Sequence, residues 1–104
     1  MVNSFAEAAA LVKNTISSKY PQISRAFIFG SYAEGVQTPD SDLDVLVELR
    51  SPMGLQFISF AQELESAVGK AVDVITAKQA ESLERNFGYD IVRKARLVYE
   101  RTED

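Results

Sequence analysis

Apolar side chains in this chain follow two rhythms, and the switches between them lay out the elements. From Phe5 they recur at Ala8, Ala9, Val12 and Ile16, the spacing of one helix face. Ser4-Phe5-Ala6-Glu7 has the form of a capping box, and Pro21 stops the run because the residue before proline avoids helical geometry. The pattern predicts a helix over residues 4–19. Ala26-Phe27-Ile28-Phe29 is an unbroken apolar run closed by Gly30, which predicts a strand over 25–30 and a short helical turn from Ser31. Tyr32 to Ser41 is a polar loop with the turn formers Gly35, Pro39 and Asp40. A second strand follows over 42–49. Ser51-Pro52 suits a cap with proline at the first helical position, and Phe57, Phe60, Ala61, Leu64 and Val68 form a stripe that Gly69 closes. That predicts a helix over 52–68.

Ala71 to Ile75 reads as a buried strand interrupted only by Asp73. Thr76-Ala77-Lys78-Gln79 is a second capping box, opening a helix that runs to Arg85 and is interrupted by Gly88. Asp90 is placed to cap a final short helix, and Leu97-Val98-Tyr99 to form an edge strand. The whole describes an α/β (α+β) fold: a small mixed β-sheet of three to four strands covered by helices, chiefly on one face. A single domain over 1–104 is expected at this length.

The candidate chemistry lies between Gly30 and Val47. Residues two apart in a strand share a face, with Cα atoms roughly 6.5–7 Å apart. Asp42 and Asp44 therefore stand side by side, while Leu43, Val45 and Val47 face the helices. Neighbouring carboxylates repel unless one is protonated or a cation sits between them. Mg²⁺ usually works with one or two carboxylates plus substrate phosphates, so the stretch reads as a phosphate-and-metal site. A solvated strand face would explain Asp42, Asp44 and Glu48, but Leu46 on the same face fits it less well. Asp73 is a charge in an apolar strand, costly unless it is paired, hydrogen-bonded or beside a metal. The plainer account is a carboxylate bonded to backbone N–H groups or a frayed edge. The functional one turns it to the same cleft as Asp42 and Asp44.

Two look-alikes fail. Gly30 and Gly35 begin the spacing of a P-loop, but Val36 and Gln37 stand where that motif needs Lys and then Ser or Thr. Asp40, Asp42 and Asp44 imitate an EF-hand loop, but Val45 and Ser51 replace its required glycine and glutamate. Composition narrows the rest. Without cysteine or histidine there are no disulfides, thiolate nucleophiles, His-ligated zinc or Ser-His-Asp relay. A net charge of −4 with no basic run disfavours a polynucleotide substrate, since phosphate backbones are held by Lys and Arg. No stretch approaches the roughly 20 apolar residues of a membrane span, and residues 1–20 lack a signal pattern, so the cytoplasm is expected.

Gly30-Ser31, then Gly35, then Ser41-Asp42-Leu43-Asp44 resembles the signature of the nucleotidyltransferase superfamily related to DNA polymerase beta. The short length and Thr38-Pro39-Asp40 resemble its minimal nucleotidyltransferase branch, many of whose members are antitoxins paired with a HEPN-domain toxin. The resemblance runs from Phe27 to Tyr99. It implies that Gly30 and Ser31 hold the phosphates of ATP, that Asp42 and Asp44 bind Mg²⁺, and that Asp73 is the third acidic residue, ligating metal and taking the acceptor's proton. It implies AMP transfer to a hydroxyl, a tyrosine of a HEPN toxin. Glu34 departs from it, since relatives often carry a basic residue just before the second glycine. That departure supports a second account, an antitoxin that neutralises its partner by complex formation alone. Tyr32, beside the glycine turn, either stacks on a base or covers the turn.

Overall fold

Local signals start and stop the helices. In a computed structural model, which describes residues 3–88 and 90–102, α1 spans Phe5–Lys19. Ser4 Oγ accepts from the Glu7 N–H at 3.1 Å, and the Glu7 carboxylate accepts from the Asn3 N–H at 3.3 Å. The chain continues through β1 (Ile23–Phe29), α2 (Gly30–Glu34), β2 (Leu43–Leu49), α3 (Gln56–Val68), β3 (Val72–Thr76), α4 (Ala77–Phe87) and β4 (Arg96–Glu100). The strands lie in the order β3-β2-β1-β4. β1 pairs antiparallel with β2 and β4, while β2 and β3 are parallel and α3 supplies the crossover that parallel pairing needs.

One sheet face carries the main core. Leu43, Val45 and Val47 are fully buried there with Ala26 and Ile28, under Val12 and Ile16 of α1 and Phe60 and Leu64 of α3. Tyr20 ties the two helices: its hydroxyl donates to Glu63 Oε1 at 2.6 Å and its ring meets Phe60 edge-on. Burial and the Glu63 carboxylate push that phenol up to about 12.

The other face is less open than the alternation alone suggests. Leu46 is buried at 3% exposure, and with Phe27 it borders a small cavity walled by Ala77 and Glu81 of α4 and by Val92 and Ala95. Helices thus lie on both faces, and α4 accounts for the apolar Leu46 among polar neighbours.

Three expectations are corrected. The helix expected from residue 52 starts at Gln56, because Gly54 adopts a left-handed φ of +57° that no helix accommodates. Among the described residues no helix follows Asp90; residues 92–94 form a turn, and the Asp90 carboxylate pairs with Arg93 at 2.6 Å. β3 is an edge strand rather than a buried one, so Asp73 is exposed. No helix among the described residues is long and apolar enough to cross a membrane.

The cap of α4 is the firmest local prediction. Thr76 Oγ1 accepts from the Gln79 N–H at 3.1 Å, and Gln79 Oε1 accepts from the Thr76 N–H at 2.9 Å. Thr76→Ala removes one half of this exchange and is expected to cost about 1 kcal/mol in urea unfolding. An unchanged midpoint would mean that α4 is held by packing alone.

Candidate active site

The site begins where β1 turns into α2. Gly30 makes that turn with a left-handed φ of +70°. Space demands glycine as well: a Cβ built there would lie 2.2 Å from Asp44 Oδ2 and 3.1 Å from its Cγ. The Asp44 carboxylate is thus laid directly against the glycine turn. Ser31 follows in the first turn of α2, whose cap residue Phe29 offers no side-chain acceptor.

β2 and β3 bring in the second carboxylate. Asp44 and Asp73 are direct partners in the parallel register, so their side chains leave the same sheet face. Asp42 is exposed just ahead of β2 and acts on Asp44 through its charge. Burial, then the charges of Asp73 and Asp42 and a hydrogen bond with Asp73, push the Asp44 carboxyl up to about 6. Gly30, Asp44 and Asp73 line one cleft of about 550 Å³ together with the apolar Phe29, Ile75, Leu83 and Ile91.

Among the described residues, no group of three His, Cys, Asp or Glu side chains is arranged to hold a metal ion by itself. Asp42, Asp44 and Asp73 are gathered at one end of the sheet without forming a closed cage. The donor chemistry nonetheless fits Mg²⁺: the oxygens are hard, two carboxylates are adjacent, and burial together with the charges of Asp73 and Asp42 disfavours an unneutralised carboxylate at Asp44. That shift has a sign that can be measured. A carboxyl whose folded pKa exceeds its unfolded value of about 3.9 stabilises the fold below pH 4 and loses that contribution as pH rises through 6. In chelator, Asp44→Asn is therefore expected to be more stable than the parent above pH 6, by about 1 kcal/mol after solvent screening. The gap should close toward pH 4 in thermal unfolding. A gap independent of pH would contradict the raised pKa of Asp44.

Two other elements complete the surroundings. Tyr32 is a core residue at 1% exposure, and Lys70 Nζ donates to its hydroxyl at 2.5 Å, so it covers the turn rather than stacking on a base. The same ammonium lies 3.4 Å from the Pro39 carbonyl, tying down the loop that leads to Asp42. The segment after α4 forms the outer wall. Glu84 Oε2 accepts from the Ile91 and Val92 N–H groups, both at 2.8 Å, and this fixes Asp90, Ile91 and Lys94 along the cleft. These wall residues were not expected from the sequence. Their only local signal was the apolar pair Ile91-Val92 between charges.

Known proteins resemble this chain in sequence and in fold. The family model described as "Polymerase beta, Nucleotidyltransferase" matches residues 12–104. A Methanocaldococcus jannaschii protein provisionally assigned as a protein adenylyltransferase, MJ1379, is 36% identical over 69 residues, covering 64% of this chain and 68% of the relative. Protein adenylyltransferase MntA of Thermococcus cleftensis is 38% identical over 56 residues, or 53% of this chain and 57% of its own. The chain therefore spans little more than half of MntA. In fold, it matches a chain of a toxin–antitoxin crystal structure with AMP-PNP at a TM-score of 0.72 and 21% identity, covering 89% of this chain and 73% of that one. A structure of tri-AMPylated Shewanella oneidensis HEPN toxin in complex with MNT antitoxin gives 0.69 and 17%, covering 93% and 73%. The glycine turn, the register-matched aspartates and the match across residues 12–104 agree: the chain belongs to the polymerase beta nucleotidyltransferase family.

Proposed function

We propose that this chain transfers AMP from ATP to a hydroxyl of a partner protein, a tyrosine of a HEPN toxin, and so serves as the antitoxin of a toxin–antitoxin pair in the cytoplasm. The observation that carries the reading is the Asp44 carboxylate packed on Gly30 with Asp73 beside it in register. The acceptor oxygen forms a bond to the α-phosphorus, the bond to the β-phosphate oxygen breaks, and pyrophosphate leaves. Asp73, exposed on the edge strand, takes the acceptor's proton. Gly30 lets the backbone approach the β- and γ-phosphates, and Ser31 offers its hydroxyl to them. Asp42, Asp44 and Asp73 are the residues that would hold Mg²⁺. Bound there, it would neutralise triphosphate charge and stabilise the attacking and leaving oxygens. Such chemistry is positioning and charge compensation, which a chain without histidine or cysteine can perform.

The names of the relatives and the complexes seen for the structural neighbours support both the reaction and the partner. Incubation with labelled ATP, Mg²⁺ and the protein encoded next to this chain should place AMP on a tyrosine of that partner. Absence of transfer, with the partner still inhibited, would support the second reading: neutralisation by complex formation alone. Glu34 is the residue that favours it, being a carboxylate at the mouth of a cleft meant for phosphate.

A further inference from the structure

The cleft beside Gly30 is short of positive charge. Among its described lining residues are four carboxylates, Glu34, Asp44, Asp73 and Asp90, against one cation, Lys94. The Lys94 ammonium lies 3.9 Å from Glu34 Oε1, with about half of each side chain exposed. A pair so long and so wet holds its members weakly. The backbone beneath Lys94 is held firmly, by the two N–H donations to Glu84 just upstream. Its neighbour Arg93 is taken up by Asp90 at 2.6 Å, which leaves Lys94 as the cation facing Glu34. The result is a flexible ammonium on a fixed base, at the rim of an acidic cleft.

We propose that Lys94 is a phosphate contact of this cleft, leaving Glu34 for the triphosphate when nucleotide enters. The inference rests on the nucleotidyl-transfer reading above and adds a residue to it. A polyphosphate is repelled by carboxylates that neither a metal nor an arginine neutralises, Glu34 above all, and a nearby cation offsets part of that repulsion. Lysine suits the exchange, because its compact charge rides on a four-carbon stem and its three donors can move from one oxygen acceptor to another. Glu34 then acts as a competitor that parks the ammonium and also repels phosphate.

The sign of a Glu34 substitution separates this role from a structural one. Calorimetric titration with ATP in Mg²⁺ is expected to show about tenfold weaker binding for Lys94→Ala. Glu34→Gln, which also breaks the ion pair, should leave ATP binding unchanged or tighten it. Glu34→Lys in the Lys94→Ala background should recover most of the loss, since residues 34 and 94 share the same rim. If the pair were only structural, Glu34→Gln would weaken ATP binding as Lys94→Ala does, and that result overturns the proposal. So does ATP binding unaffected by Lys94→Ala. A parent protein that binds no ATP would sink the nucleotidyl-transfer reading, and this inference with it.

Discussion

Asp44→Asn is expected to lower AMP transfer to the partner protein by about 10³-fold while the fold survives. Removing one preorganised electrostatic group from an active site costs about 10²–10³ in rate. Asp44 does two jobs at once, as the half-buried carboxylate nearest the glycine turn and as a proposed metal oxygen. The asparagine is nearly isosteric, so the contact with Gly30 is kept while the charge is lost. The stability gain expected for this variant in chelator makes misfolding an inadequate explanation for lost activity. Asp73→Asn should also be severe, since it removes the proposed proton acceptor, a role that contributes about 10²–10⁴. Because the two carboxylates act as a unit, the double variant should be little worse than the poorer single one. Single-turnover transfer of labelled AMP measures all three. Near-parental transfer by Asp44→Asn would remove catalysis from this cleft and leave a binding role.

What the sequence disclosed, and what it hid, follows from the range of the interactions involved. Alternation over Leu43, Val45 and Val47 is a local property, so the buried face of β2 and the opposite placing of Asp44 could be read directly. The same holds for Thr76-Gln79 and for Gly69, whose signals lie within one turn of the elements they bound. Asp73 was singled out because a charge in a buried strand is costly. The structure assigns that cost differently: β3 is an edge, Asp73 is exposed, and desolvation falls first on Asp44. Strand order decides which carboxylate is buried, and one strand's pattern does not contain strand order. Lys94 and Asp90 were illegible for a similar reason. They reach the cleft because the Glu84 carboxylate captures two backbone N–H groups across a chain reversal, a tie with no periodic signature.

Gly30→Ala is expected to damage activity more than stability, and a second glycine provides the control. At φ +70° an alanine costs roughly 1–2 kcal/mol through its own backbone. Its Cβ also meets Asp44 Oδ2 at 2.2 Å, whereas an ordinary contact begins at 3.4 Å. The carboxylate must therefore retreat by about 1 Å, a displacement that can cost on the order of 10² in rate when a reacting group is misplaced. Gly54 has φ +57° and nothing within 4 Å of the equivalent position, so Gly54→Ala carries backbone strain without a clash. Both variants should lose about 1–2 kcal/mol in urea unfolding, with a further loss at Gly30, and only Gly30→Ala should lose transfer. The excess loss should disappear when Gly30→Ala is made in an Asp44→Ala background, because the clashing oxygen is then gone. If the penalty persists there undiminished, the glycine serves only its own turn, and the close seating of Asp44 on the backbone is not what selects the residue.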